Sequence, residues 1–240
     1  MRLFQSFALA FNMLTIIPFF KTHDFFRGIN GYSAIFYPLI GFILGSILWA
    51  LHVVLQNYIP STHLAVIIFT LWITLTGALH VDGFSDTVDG LFVPKERALE
   101  VMKDSHVGGM GMTFTFLFLA LKLSSVIYLD AFYLLPFILM FSRLNAVMAI
   151  YFYEYVSSGV GRLIKEEFSK KYFLIAIGYT LLISFTHLDF LLISLLILLV
   201  SARFFISRIG GLTGDVYGFI IEVTELVLLN YIIIVNYQCL

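Results

Sequence analysis

Asp82, Asp86 and Asp89 stand in the segment Leu79-His80-Val81-Asp82-Gly83-Phe84-Ser85-Asp86-Thr87-Val88-Asp89-Gly90. A helix turns about 100° per residue, so this spacing puts the three carboxylates within an arc of roughly 60°. Like charges held so close repel unless a cation joins them. The chain supplies none nearby, since no Lys or Arg lies between Leu71 and Pro94. Oxygen-only donors suit hard divalent ions, and Mg²⁺ in particular is usually held by a few carboxylates plus substrate phosphate. The segment therefore reads as a metal-phosphate site. The plainer reading is a solvated acidic face with Asp82 capping a turn, but such a face normally mixes charge signs.

Further along lies Met102-Lys103-Asp104-Ser105-His106-Val107-Gly108-Gly109. Its glycines would let backbone N–H groups approach a phosphate, with Lys103 as counter-charge, although a flexible turn explains them equally well. A second acidic group occupies Gly210-Gly211-Leu212-Thr213-Gly214-Asp215 and runs into Glu222 and Glu225, one turn apart on an otherwise apolar helix. A buried carboxylate without a partner costs several kcal/mol, so these glutamates demand a cation. Arg203 and Arg208 are candidates, with Thr213 or Asp215 then serving as caps. Arg143 falls inside an apolar run, where an arginine must find a carboxylate, a phosphate or water, so pairing with Glu222 or Glu225 stands beside contact with substrate. His80 is a candidate base or ligand, and Lys122 reads as a snorkelling side chain.

These residues are embedded in a chain of 240 residues that is 60% hydrophobic and only 12% charged, with 26 phenylalanines and a net charge of −1. Mean hydropathy is +0.98. Such a composition belongs in a lipid bilayer, and the absence of a basic stripe argues against nucleic acid as a partner. Cys239, the single cysteine, permits no disulfide within one chain and no cysteine metal site. No linker, repeat or low-complexity tract divides the sequence, so residues 1–240 read as one domain. The start resembles a signal peptide but lacks a small-residue cleavage pattern, and it reads as the first membrane segment.

Apolar runs at 3–20, 31–56, 64–79, 111–129, 131–153, 172–186, 189–206 and 216–237 predict an all-α, polytopic membrane bundle of seven to eight segments. The runs at 3–20 and 172–186 are the weakest. Basic residues fall in or beside every second connection: Lys21 and Arg27, then Lys95, Arg97 and Lys103, then Arg162, Lys165, Lys170 and Lys171, then Arg203 and Arg208. By the positive-inside rule those connections are cytoplasmic, and the acids cluster on the same side.

The ordered blocks together resemble the cobalamin synthases (adenosylcobinamide-GDP ribazoletransferases). In that family the run corresponding to residues 76–90 typically reads Gly-Gly-hydrophobic-His-hydrophobic-Asp-Gly-hydrophobic-Ala-Asp-Thr-x-Asp-Gly. Met102-Lys103-Asp104-Ser105-His106-Val107-Gly108 is similar to a Met-Lys/Arg-Asp-Ser-Arg-hydrophobic-Gly block, Ser142-Arg143 to a family arginine, and Gly159-Val160-Gly161 to Gly-Leu-Gly. Gly210 through Glu225 matches Gly-Gly-x-Thr-Gly-Asp-x-x-Gly with downstream glutamates, and Tyr37-Pro38-Leu39-Ile40-Gly41 with Gly45 also fits. Ala78 replaces a usual glycine and Ser85 a usual alanine, both compatible with packing. His106 replaces an arginine, and Tyr153-Glu154-Tyr155 a Tyr-Ala-Arg-like stretch.

The resemblance implies transfer of the adenosylcobinamide-phosphate group from adenosylcobinamide-GDP to α-ribazole or its 5′-phosphate, with release of GMP. It also implies Mg²⁺ as cofactor and a place in the bacterial inner membrane, with the active site facing the cytoplasm; assembly as a homo-oligomer is left open. On this reading Asp82, Asp86, Asp89 and Asp215, with Glu222 and Glu225, are assigned to the metal. Lys103, Arg143, Ser105, Gly108, Thr213 and Gly214 are assigned to the substrates, and His80, Asp104 or Asp89 accepts the attacking hydroxyl's proton. Other membrane classes fit less well. A CDP-alcohol phosphotransferase needs Asp-Gly-x-x-Ala-Arg, and no Arg follows Asp82-Gly83 before Arg97. An aromatic prenyltransferase needs two separate Asp-rich motifs, and a divalent-cation transporter would place its acids deeper in several spans.

Overall fold

The computed structural model describes residues 2–20, 26–104 and 106–238. Among these, twelve α-helices follow one another: α1 (Arg2–Leu14), α2 (Ile29–Ser33), α3 (Tyr37–Leu55), α4 (Ser61–Leu75), α5 (Leu79–Leu91), α6 (Lys95–Val101), α7 (Gly109–Ile127), α8 (Leu135–Phe152), α9 (Val160–Glu167), α10 (Lys170–Ile183), α11 (Leu188–Ile209) and α12 (Gly214–Gln238). The one β feature among the described residues is an isolated parallel bridge between Tyr155 and Leu212.

The chain is a polytopic helical membrane protein. Five stretches are long and apolar enough to cross a membrane: Ile29–Leu55, Gly109–Ile127, Phe132–Phe152, Leu188–Ile209 and Gly214–Tyr237. A sixth exists only as α4 joined to α5 through an 80° bend. The expected segment at 3–20 stops as a helix at Leu14, ahead of Pro18, whose ring disfavours helix at the residue before it. Thirteen residues reach about 20 Å, short of a hydrocarbon core of about 30 Å. α10, at 14 residues, is short for the segment expected at 172–186, yet with the turn after it the chain runs the length of α8, from Phe173 stacked on Tyr151 to His187 beside Phe137. Hydropathy counts apolar residues without seeing where a helix ends.

The bundle is organised around α8, whose apolar span is 89% buried. α3 runs against it through Gly41 and Gly45, where an added Cβ would meet the main chain of Leu139 and Leu135. Small residues at such a contact let two backbones approach closely, which is how helices bind tightly in lipid.

The bend between α4 and α5 is made by two successive left-handed residues, Gly77 (φ 61°) and Ala78 (φ 54°). Glycine adopts this conformation freely, whereas alanine does so at a cost of about 1–2 kcal/mol. The glycine usual at position 78 therefore answers to backbone geometry, and Ala78 is strained rather than merely compatible with packing. At the far end of α5, Arg208 donates from Nη2 to the carbonyls of Leu91 (3.1 Å) and Val93. These carbonyls lie at the end of the helix and just past it, where intrahelical partners run out.

α5 lies across the start of α12. A Cβ at Gly83 would stand 3.0 Å from the Asp215 main chain, and one at Gly218 would stand 3.0 Å from the His80 carbonyl. Both glycines therefore set the distance between the acids of α5 and Asp215. Gly83→Ala is expected to keep the fold and its thermal midpoint while lowering turnover on the order of 10–100-fold, the scale of a sub-ångström to 1 Å misplacement of a catalytic group. Steady-state kinetics alongside thermal unfolding in detergent separates the two quantities, and an unchanged turnover would show that this spacing does not matter.

Candidate active site

Helix α5 presents Asp82 and Asp86 toward Asp215 in the first turn of α12. The three acids line a cleft of about 380 Å³ that is completed by Lys103, Asp104, Tyr155, Ser157 and Gly214 among others. Two local devices fix Asp215. The Thr213 hydroxyl accepts the Val216 N–H at 3.2 Å, the geometry of a helix N-cap, and lies 3.3 Å from Asp215 Oδ2. Upstream, Leu212 N–H donates to the Glu154 carbonyl at 2.9 Å and Val156 N–H to the Leu212 carbonyl at 2.9 Å. That bridge ties the loop after α8 to the turn before α12. Thr213 is buried and committed to the cap, which corrects its assignment to substrate binding; Gly214 does line the cleft.

The electrostatics are those of unneutralised acids. Asp86 is partly buried, with the like charges of Asp82, Asp215 and Asp89 around it. Among the described residues, no three Asp, Glu, His or Cys side chains are disposed to hold a metal ion by themselves. The three cleft acids supply hard oxygen donors from two elements without enclosing a cage. This donor set fits an ion that arrives with phosphate oxygens of its own, as Mg²⁺ commonly does.

Asp89 plays a different part. Its two carboxylate oxygens accept the N–H groups of Gly108 and Gly111, both at 2.7 Å. The residue is buried, and a Cβ at either glycine would collide with it. Gly108 thus binds an anion as its composition suggests, but the anion is the protein's own carboxylate. The metal and base assignments of Asp89 and the substrate assignment of Gly108 are corrected accordingly. Asp104 sits exposed at the cleft rim, where His106 contacts its Oδ1 through Nδ1 at 2.7 Å and through its N–H at 3.0 Å. Those hydrogen bonds hold the Asp104 carboxyl below the usual carboxylate range. Ser105 lies outside the described residues.

Glu222 and Glu225 do not face the cleft. Lys122 donates to Glu222 Oε2 at 2.6 Å and to Glu225 Oε2 at 2.5 Å, while Arg143 pairs with Glu225 Oε1. Trp72 covers the ammonium with its ring centroid at 4.5 Å. All four charged side chains are at most 3% exposed. Two cations and two anions from three helices thereby form a neutral cluster within the bundle. The glutamates assigned to the metal thus face these cations and not the cleft, Arg143 takes the carboxylate pairing open to it in place of the substrate assignment, and Lys122 is buried where snorkelling was expected. Arg203 and Arg208 are not the partners either; sequence reasoning missed Lys122, and its one signal was a lysine amid an apolar run.

His80, 4% exposed, borders a second cavity of about 250 Å³, and its Nε2 has no partner among the described residues. Asp82, Gly214 and Asp215 line both cavities. The two cavities therefore meet at this pair of carboxylates, and Lys103 lines only the polar one.

Comparison with known proteins gives one consistent answer. The model of the family described as cobalamin-5-phosphate synthase matches residues 6–233. Among curated relatives named adenosylcobinamide-GDP ribazoletransferase, that of Thermosynechococcus vestitus is 38% identical, over 80% of this chain and 82% of its own. That of Desulforamulus reducens is 35% identical over 93% and 94%, and that of Acinetobacter baumannii strain ACICU 36% identical over 96% and 97%. No solved structure matches.

Proposed function

We propose, for a chain that belongs to the cobalamin-5-phosphate synthase family, that it transfers the adenosylcobinamide-phosphate group of adenosylcobinamide-GDP to a hydroxyl of α-ribazole or its 5′-phosphate and releases GMP. The observation that carries this reading is the family match over nearly the whole chain, joined to a cleft in which Asp82, Asp86 and Asp215 stand opposite Lys103. Phosphoryl-type transfer leaves a protein little covalent work, so positioned charge is what it must provide.

Asp82, Asp86 and Asp215 would hold a Mg²⁺ ion together with diphosphate oxygens of the substrate. When bound, the ion would neutralise those oxygens and ease departure of GMP. Lys103 supplies a further positive charge to the diphosphate from the cleft wall. His80, which borders the inner cavity, is our candidate to take the proton of an acceptor hydroxyl, whereas Asp104 lies at the rim with one oxygen already held by His106. The basic connections that surround the cleft support a cytoplasmic orientation in a bacterial inner membrane, by the positive-inside rule.

The test uses membranes holding the protein, supplied with adenosylcobinamide-GDP and α-ribazole. GMP release is expected, is expected to stop in EDTA, and is expected to return with added Mg²⁺. Release that persists in EDTA would remove the metal from the reading, and no GMP under any metal condition would overturn the reading itself.

A further inference from the structure

Arg203 lies within α11, a helix long and apolar enough to cross the bilayer. That helix turns Leu198, Ala202 and Phe205 into the bundle and leaves Arg203 on its outer face with Leu199 (58% exposed), Val200 (62%) and Phe204 (50%). An arginine so placed must find a carboxylate, a phosphate or water. No carboxylate is on offer, since α11 has no acid after Asp189 and Arg203 has no ion pair among the described residues. Glu154, next to Tyr153 in sequence, acts on the charge of Lys165. Arg203 instead lines an open groove of about 980 Å³ with Tyr153, Leu199, Val200, Phe204 and Ser207 among others. A second cation stands at its edge. Lys95 donates from Nζ to the Ser207 carbonyl at 2.9 Å, which engages one ammonium hydrogen and leaves two. Arg203 and Ser207 are about one turn apart on one face of α11, roughly 6 Å along the axis.

We infer that this groove is a binding site for an anionic phospholipid, with the Arg203 guanidinium and the Lys95 ammonium on the headgroup and an acyl chain along Leu199, Val200 and Phe204. Guanidinium N–H groups pair with phosphate oxygens in charge-assisted hydrogen bonds, which are the strong ones. The depth suits a headgroup. Arg203 stands six residues before the end of α11 at Ile209, about 9 Å along the axis, so its stem lies on apolar surface while its charge extends toward the interface. A second copy of the chain fits this face less well, because a two-fold contact through it would bring like cations together. Lys95 opens α6, so a lipid bound here would tie α6 to α11 at the membrane surface. The inference stands apart from the transfer reading, since neither cation lines the acidic cleft.

The test titrates the full chain, purified in detergent and freed of lipid, with phosphatidylglycerol or phosphatidylcholine and counts bound lipid by native mass spectrometry. The wild type is expected to bind phosphatidylglycerol about tenfold more tightly, the scale of two basic side chains beside an anionic headgroup. Arg203→Gln/Lys95→Gln is expected to bind the two lipids within about twofold of each other, and Arg203→Lys to keep most of the preference. Both positions are exposed, so these variants load no buried core. Arg97→Gln removes a different exposed cation of α6, one paired with Glu100, and is expected to leave the preference intact. A wild type without preference, a preference that survives the loss of both cations, or an equal loss in Arg97→Gln would overturn the inference. Displacement of phosphatidylglycerol by inorganic phosphate would also overturn it, by assigning the two cations to a soluble anion.

Discussion

Replacing Asp82 or Asp215 by Asn is expected to lower GMP release by on the order of 10³-fold, with the protein still inserted and folded. Asparagine keeps the size and one acceptor of the side chain but removes the charge that a divalent ion needs. Both residues line the two cavities at once, so the loss is expected in kcat with either substrate saturating. Asp89→Asn provides the contrast. Its carboxylate is engaged by Gly108 and Gly111, and the exchange turns an amide NH₂ toward one of those N–H donors. Leaving a buried group unsatisfied costs about 1–3 kcal/mol, so Asp89→Asn should lower the thermal midpoint without changing the Mg²⁺ concentration that gives half-maximal rate. Equal shifts in Mg²⁺ requirement for all three variants would return Asp89 to the metal and undo the distinction drawn here.

Lys122→Met is expected to destabilise the folded protein by about 3–5 kcal/mol, the usual result of removing one partner from a buried ion pair. The change leaves Glu222 and Glu225 facing Arg143 alone, beneath Trp72. The double variant Lys122→Met/Glu222→Gln restores charge balance and should recover most of the loss. Thermal unfolding of detergent-solubilised protein measures both. A single variant as stable as the wild type would mean that one of the glutamates is protonated in the bundle, and the cluster would then not need its lysine.

The sequence carried the face of α5 correctly but not what covers that face. Spacing alone puts Asp82, Asp86 and Asp89 on one side of a helix. It cannot say that the loop before α7 folds back over the last of them, because that depends on a contact made about twenty residues away. The glycine-rich loop was legible as an anion binder for a sound reason, its accessible N–H groups, and the anion proved to be internal. Glu222 and Glu225 announced their need of a cation through burial, yet the cation came from Lys122, 100 residues upstream of Glu222. Snorkelling and burial look alike for a lysine in an apolar run until the neighbouring helices are placed. The first segment was drawn too long for a different reason: the stop after Leu14 is a backbone event that average hydropathy smooths over. The demand on Ala78 follows from the direction in which α5 must leave α4, which no residue pattern announces.

The neutral cluster also bears on how the protein is made. Lys122, Arg143, Glu222 and Glu225 lie on α7, α8 and α12, so the ribosome delivers the two cations well before the two anions. Each charge alone at mid-bilayer disfavours insertion by about 2.5–3.5 kcal/mol. Until the final helix arrives, Lys122 and Arg143 have none of the carboxylates that neutralise them in the finished bundle. A chain truncated before α12 should insert its apolar helices but leave two buried cations without their partners, and so lose the stability that the cluster confers.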